Sequence, residues 1–207
     1  MELLNVEQPV ISGCDVYPFL QLAPFADRKY FAHFLNHCGL TNHAVEVGTD
    51  QASFAVEFLS EWRGNKLSCV DPYIAPMRKD TTREEDLLMA QERLSLFEGR
   101  WEIIRRPSTL ACRDFQNQSL DFVYVDGDHT YASVVEDLNC WFPKIRDGGI
   151  LAGHDIVMPG EFPPAWDQQI QPAVFQFAAE HALSVYLVIE SHGLPWSFFV
   201  RKGLKLS

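Results

Sequence analysis

The chain has 207 residues, of which 47% are hydrophobic and 22% charged, a balance that supports a folded core and excludes disordered and low-complexity proteins. Its 28 acidic residues outnumber the 17 Lys and Arg, and the resulting net charge of -11 argues against a nucleic-acid partner. No apolar stretch approaches the roughly 20 residues of a membrane-spanning helix, so a membrane partner is not expected either.

The amino-terminal segment and the cysteines bear on where the protein works. Residues 1–10 lack the basic region and the long apolar segment of a secretion signal. The five cysteines are far apart and never spaced as CxxC, a pattern typical of reduced thiols that pack individually. We therefore expect a cytoplasmic protein.

Apolar periodicity predicts a single domain, residues 1–207, in which helices alternate with short strands. The first helix runs from Asp27, its expected N-cap, to Cys38, and Gly39 follows its end. A strand at 44–47 and a helix at 54–62 come next. A strand at 67–70 precedes a helix that opens with the capping box of Thr82 and Glu85 and reaches 97.

The second half continues the alternation. Strands are predicted at 101–104 and 120–125, a helix at 134–145 and a strand at 150–152. A proline-rich loop at 156–172 is expected to form a lid over the acceptor, and a helix follows from Pro172 to 182. Strands at 185–189 and 197–200 are joined by a short link, which favours an antiparallel pair.

These elements predict an α/β fold with a doubly wound, mostly parallel sheet of seven strands whose last strand is antiparallel. Residues 1–26 form an amino-terminal segment that could cover the acceptor site. Its aromatic residues Tyr17, Phe19 and Phe25 are candidates for that cover or for contact with a partner subunit in a homo-oligomer. Ligands of such folds bind beyond the carboxyl ends of the strands, so polar residues there are the candidate site.

The spacing of the strand-end residues indicates a nucleoside ligand. Asp71 lies 23 residues beyond Gly48, the separation at which an acid on the second strand meets the ribose of a nucleotide held over the first turn. The turn itself, Gly48 to Ala52, has one glycine and an acid, Asp50, that would repel a phosphate. A ligand with a ribose and no phosphate fits this turn, and S-adenosylmethionine is the common one.

Four motifs occur in order at strand ends: VEVGTDQASF at 45–54, VDP at 70–72, DFVYVDGDHTY at 121–131 and GGILAGHD at 148–155. In this combination the chain resembles class I S-adenosylmethionine-dependent methyltransferases, and more narrowly the small-molecule O-methyltransferases related to the macrocin and cephalosporin-pathway enzymes. The resemblance extends from about Asp27 to the end. Ala52 departs from it, because the family usually has a second glycine there.

The resemblance implies a role for each motif residue. Glu46 and Gly48 would line the methionine end of the cofactor, Asp71 would bind the ribose, and Ser108 would lie near the adenine. Asp126 would contribute both to the cofactor site and, with His154 and Asp155, to a divalent-cation site. His129 would be the general base, since an imidazole titrating near pH 6.5 suits that role. These cofactor, metal and catalytic residues are Glu46, Gly48, Asp71, Ser108, Asp126, His129, His154 and Asp155.

A cation makes chemical sense because it lowers the pKa of a bound hydroxyl and orients its oxygen. Mg²⁺ or another divalent ion is the expected second cofactor, and His154 shifts the preference toward Mn²⁺, Fe²⁺ or Zn²⁺. His154 could instead be a hydrogen-bonded residue of a buried strand end, and Asp128 with His129 could cap the following helix.

The predicted function is thus methyl transfer from S-adenosylmethionine to a hydroxyl of a small-molecule acceptor, with cation assistance. Three alternatives stay open: a metal-independent N- or O-methyltransferase, a non-catalytic cofactor-binding module, and an NAD-dependent oxidoreductase, against which the missing glycines argue.

Overall fold

The computed structural model describes residues 19–74, 80–157, 169–191, 193 and 195–203. Within these residues the strands are β1 (Leu20–Leu22), β2 (His43–Val47), β3 (Lys66–Val70), β4 (Trp101–Ile104), β5 (Leu120–Val125), β6 (Ile145–Ile156), β7 (Val185–Val188) and β8 (Trp196–Arg201). The α-helices are α1 (Phe31–His37), α2 (Ser53–Glu61), α3 (Arg83–Leu94), α4 (Ser108–Ala111), α5 (Tyr131–Trp141) and α6 (Ile170–His181).

All the strands form one sheet in the order β1-β7-β8-β6-β5-β2-β3-β4. β8 runs antiparallel to β6 and β7, and the other neighbouring pairs are parallel. The predicted α/β fold is therefore confirmed, with one correction: the described part of the chain has eight strands where the sequence pattern predicts seven. The additional strand, β1, is three residues long and pairs with the edge strand β7, too short to produce a periodic signal.

β5 lies at the middle of the sheet because its residues are buried on both faces. Val123 packs with α5 and α6 in the core on one face, and Phe122 and Tyr124 pack with α1 and α2 in the core on the other. A strand that is apolar on both sides can only be central in a sheet covered by helices. This places the carboxyl ends of β2, β3, β5 and β6 side by side.

The amino-terminal aromatic residues that the structure describes pack inside the protein. The ring centroids of Phe19 and Phe175 are 5.2 Å apart, and Phe25 stacks on Phe199 at 6.1 Å. These two side chains are partly buried and pack against the protein's own core, and their expected role as a cover or a subunit contact stays a prediction. Residues 1–18, with Tyr17, lie outside the described residues, as do residues 158–168 of the predicted lid.

Two local predictions are also corrected and one is confirmed. Asp27 does not cap the first helix; its carboxylate accepts a hydrogen bond from the Ser191 backbone N–H at 2.6 Å. Cys112 and Cys140 form a disulfide, so individually packed thiols are the wrong description of this pair. Their Cα atoms lie 6.3 Å apart because α4 and α5 pack on the same face of the sheet, which spacing in sequence does not reveal. The capping box of Thr82 and Glu85 is confirmed.

No helix among the described residues has the length and apolar character needed to cross a bilayer.

Gly48 offers a test of how tightly the strand ends are packed. It has a φ of +86°, and a Cβ at this position would overlap the carbonyl group of Asp126. We expect Gly48→Ala to destabilise the protein by more than about 3 kcal/mol, measured by urea unfolding. Gly99→Ala is the matched control, because Gly99 has a φ of +80° with nothing within 4 Å, and it should cost about 1 kcal/mol. Equal losses in the two variants would show that backbone conformation alone, and not the contact with Asp126, requires glycine at 48.

Candidate functional site

The carboxyl edge of the sheet brings together most of the side chains that the sequence singled out. Glu46 lies near the end of β2, Asp71 follows β3, Asp126 follows β5, and His154 and Asp155 lie near the end of β6. Since these four strands are consecutive in the sheet, their ends form one continuous edge. The polar residues of four separate motifs therefore share one site.

Asp126, His154 and Asp155 form the cluster best suited to a cation. One ligand atom from each lies within 4.8 Å of the others. The Nδ1 atom of His154 is 2.8 Å from a carboxylate oxygen of Asp155, while its Nε2 is buried and has no hydrogen-bond partner among the described residues. Burial alone would raise the pKa of Asp155, but its hydrogen bond with His154 and the nearby positive charges lower that pKa overall. The three side chains thus meet as the sequence predicts.

His129 lies against both acids of this cluster. Its Nε2 atom is 3.5 Å from Asp126 and 3.3 Å from Asp155. The hydrogen bond with Asp126 raises the pKa of His129, and the charge of Asp155 acts in the same direction against the effect of burial. The helix cap proposed as an alternative for this segment comes from Thr130, whose hydroxyl accepts the Ser133 N–H; Asp128 accepts the N–H of Thr130. His129 is therefore not needed as a cap.

Arg28 is a member of this cluster that the sequence did not indicate. Its guanidinium is 3.9 Å from the carboxylate of Asp126. The backbone N–H of Arg28 donates to both oxygens of Glu190, at 3.2 and 3.1 Å, and buried Glu190 also accepts the hydroxyl of Ser197. The contact between Arg28 and Glu190 joins residues that are 162 positions apart in sequence, so no local pattern could have shown it.

Glu46, a buried acid at the end of β2, has an oxygen without a hydrogen-bond partner among the described residues. Burial raises the pKa of Glu46 to about 8, and its Oε2 atom has no hydrogen-bond partner among the described residues. The buried Thr49 hydroxyl lies beside Glu46 and offsets part of this rise in the pKa. Ala52, which departs from the family pattern, adopts a left-handed conformation with φ +61°. A ligand that donates hydrogen bonds would satisfy Glu46 and Thr49.

Asp71 is held by several donors at once. Its Oδ1 accepts from the Tyr73 N–H and from Arg83, each at 2.8 Å, and its Oδ2 accepts from the Asp50 N–H at 3.0 Å. Arg83 also pairs with Asp50 at 2.7 Å. Because Arg83 shares its single positive charge among Asp50, Asp71 and Asp86, the turn stays net negative and still disfavours a phosphate.

Ser108 opens α4 and already has two partners within the protein. Its hydroxyl accepts a hydrogen bond from the indole of Trp141 at 2.8 Å and donates to Asp137. Its predicted place near the adenine stays a prediction. The carboxylate of Asp137, on α5, is buried near Gly127, and Gly127 belongs to the loop that carries Asp126 and His129. Burial raises the pKa of Asp137 to about 6.

A separate cleft of about 470 Å³ opens on the face of the sheet toward β4. It is lined by His43, Glu102, Ile104, Arg106, Asp114, Phe115, Gln116 and Ser119. None of the predicted site residues lines it.

The comparison with protein families decides the family. The model of a methyltransferase domain matches residues 45–156, from the end of β2 to the end of β6. The chain belongs to the methyltransferase-domain family. This match spans every residue of the cluster at the carboxyl edge except Arg28, and it confirms the predicted enzyme class at the level of the family.

Solved structures share the fold of this chain. Solved O-methyltransferases from Bacillus cereus, in complex with SAH, and Streptomyces achromogenes, involved in tomaymycin synthesis and in complex with SAM, share the fold with TM-scores of 0.61 and 0.60. They are 17% and 14% identical, and the matches cover 84% and 85% of this chain and 80% of each of theirs.

Curated relatives are uncharacterised. Protein R132 of Acanthamoeba polyphaga mimivirus is 23% identical over 66% of this chain, and the chain spans 59% of its length. Protein y4gI of Sinorhizobium fredii is 34% identical over 26% of this chain, a match that covers 6% of that protein.

Burial of Asp137 makes the stability of the protein depend on pH. Since its pKa rises from 3.8 to about 6 on folding, the folded state holds a proton that the unfolded state loses between these values. The contribution of Asp137 to stability is full below pH 3.8 and is lost as pH rises through 6. We expect the free energy of unfolding of the wild type to fall by about 2 kcal/mol from pH 4 to pH 7, relative to Asp137→Asn. If the free energies of unfolding of the wild type and of Asp137→Asn, measured with urea, change with pH in parallel, the raised pKa of Asp137 is contradicted.

Proposed function

We propose that this protein transfers a methyl group from S-adenosylmethionine to an oxygen of a small-molecule acceptor, assisted by a divalent cation. The observation that carries the proposal is the meeting of Asp126, His129, His154 and Asp155 at one sheet edge, next to the turn after β2. The family match supports methyl transfer, and the SAM and SAH complexes of the two solved O-methyltransferases support this cofactor.

The turn after β2 fits the cofactor. The unpartnered Oε2 of Glu46 is an acceptor for the ammonium group at the methionine end. Because Gly48 has no side chain, the backbone of the turn packs closely against Asp126. Asp71 follows the neighbouring strand, where a ribose hydroxyl would reach it. An unsatisfied buried acid without phosphate-binding glycines suits a cationic amino-acid group better than a pyrophosphate.

The donor set at the end of β5 and β6 fits a divalent cation. Two carboxylates and one imidazole suit Mn²⁺, Fe²⁺ or Zn²⁺ more than Mg²⁺, which prefers oxygen ligands. Asp126, His154 and Asp155 would hold the ion, each through one ligand atom. When bound, the cation would lower the pKa of the acceptor hydroxyl.

The chain's own residues would handle the proton. His129, in its neutral form, takes the hydroxyl proton, and Asp126 and Asp155, which lie beside its Nε2, stabilise the imidazolium that results. The acceptor oxygen forms a bond to the methyl carbon while the carbon–sulfur bond breaks. The bond electrons return to sulfur, which leaves neutral S-adenosylhomocysteine.

A second candidate is a metal-independent N- or O-methyltransferase. It is favoured by Arg28 and His129, which already place two basic groups against Asp126 and so could neutralise it with no cation. In that case Asp126 and Asp155 would shape the acceptor pocket and position His129. A non-catalytic cofactor-binding module would retain the cofactor contacts and show no turnover.

The acceptor remains a proposal at the level of chemical class. A small-molecule hydroxyl is supported by the resemblance to macrocin and cephalosporin-pathway enzymes and by the structural likeness to the enzyme of tomaymycin synthesis. A cytoplasmic location, a homo-oligomer, a lid at 156–172 and a cover from residues 1–26 stay predictions.

Replacing Asp126 separates the two candidates. Asp126→Asn removes a charged ligand but keeps a side-chain oxygen, so Mn²⁺ affinity should fall about tenfold or more while S-adenosylhomocysteine affinity stays within about threefold, both by calorimetry. Asp128→Asn is the matched control, since Asp128 bonds its own turn and should leave Mn²⁺ binding unchanged. Absence of Mn²⁺ binding to the wild type would exclude the cation-assisted mechanism and favour the metal-independent one.

Because the pKa of Glu46 is raised, we expect cofactor binding to release a proton from this side chain. With a pKa of about 8, it is mostly protonated at pH 7, and pairing with the cofactor ammonium would ionise it. Titration with S-adenosylhomocysteine in Tris and in phosphate should give binding enthalpies that differ, because the proton released on binding is taken up by buffers of different ionisation enthalpy. Glu46→Gln should bind more weakly and lose the difference. Equal enthalpies for the wild type in both buffers would show that Glu46 releases no proton on binding and would contradict this prediction.

A further inference from the structure

Arg83 links three acids around the cofactor turn. It is the first residue of α3, it is 8% exposed, and its guanidinium contacts Asp50, Asp71 and Asp86 at 2.7, 2.8 and 2.9 Å. The ring of Tyr73 lies 4.9 Å from the guanidinium carbon. A planar fork of donors is the side chain that can serve several carboxylates at once.

The hydrogen bonds of Asp71 leave it little capacity for a ligand. A carboxylate has about four acceptor positions, two on each oxygen. The N–H of Tyr73 and the Nη2 of Arg83 occupy both positions of Oδ1, and the N–H of Asp50 occupies one of Oδ2. Among the described residues, one position remains, on Oδ2.

We propose that Arg83 is a positioning residue that fixes Asp71 so that it accepts a hydrogen bond from one ribose hydroxyl of the cofactor rather than from both. The inference rests on the proposed use of S-adenosylmethionine and specifies how this chain holds its ribose. Without the guanidinium, Asp50, Asp71 and Asp86 would repel one another in a buried cluster, and the Asp71 carboxylate would turn to relieve that repulsion. The orientation of Asp71, and with it the choice of one hydroxyl, therefore depends on Arg83.

The experiment uses the full chain and calorimetry with three probes: S-adenosylhomocysteine and its 2′-deoxy and 3′-deoxy analogues. In the wild type, one analogue should bind at least tenfold more weakly than the parent compound and the other within about threefold. In Arg83→Lys, which keeps the charge but loses the fork, the parent should bind about tenfold more weakly and the two analogues should no longer differ. A purely structural role would weaken all three probes by the same factor and keep the preference.

Arg93→Lys is the matched control. Arg93 is also on α3 and donates to the Gln51 carbonyl at 2.9 Å, in the same turn, without bonding Asp50, Asp71 or Asp86. It should change the affinity for S-adenosylhomocysteine less than twofold and leave the preference between the analogues unchanged.

Each result has a distinct meaning. Equal binding of the two analogues to the wild type would overturn the inference, as would wild-type affinity and preference in Arg83→Lys. If Arg83→Lys does not fold, the same three probes on Arg83→Gln decide the role of Arg83, and an unchanged preference between the analogues would overturn it. Failure of the wild type to bind S-adenosylhomocysteine at all would instead refute the proposed function, and this inference with it.

Discussion

The backbone hydrogen bonds that join the ends of β2, β3 and β5 set the geometry of the whole site. The Gly48 N–H donates to the Val70 carbonyl, and the Asp126 N–H donates to the Val47 carbonyl, each at 2.8 Å. Gly48 can lie this close to Asp126 because it has no Cβ. The turn that would hold the cofactor and the acid that would hold the cation are thus fixed to each other by main-chain contacts, before any side chain contributes.

Charge is the second constraint on this edge. Six acids lie along it or just behind it: Glu46, Asp50, Asp71, Asp86, Asp126 and Asp155. Among the described residues, two groups of basic side chains lie against them: Arg83, beside the end of β3, and Arg28 with His129, beside the ends of β5 and β6. No basic side chain of the described residues forms an ion pair with Glu46, and burial keeps it protonated near neutral pH. This division leaves a protonated acid where a ligand's amino group would bind and a paired set of acids where a cation would bind.

The fold and the acids at the strand ends could be predicted because they depend on local pattern. Alternating strands and helices indicate the doubly wound sheet, and the residues that end β2, β3, β5 and β6 must then meet at one edge. Arg28 and Arg83 could not be found this way, since each acts on residues that only the folded chain brings near. The same holds for the bond between Cys112 and Cys140 and for Asp137 beneath Gly127. β1 was not predicted, because a strand of three residues is too short to show a periodic pattern of apolar residues.

The central claim is that cofactor and cation share this edge, and paramagnetic broadening in proton NMR tests it most directly. Resonances of S-adenosylhomocysteine would be recorded with a small amount of protein, first with Mg²⁺ and then with Mn²⁺. Because Asp126 lies beside the end of β2 and Asp71 lies one strand further from β6, Mn²⁺ should broaden the homocysteine protons more than the adenine protons. Ligand resonances that the protein leaves unchanged, or that Mn²⁺ broadens without this difference, would contradict the account.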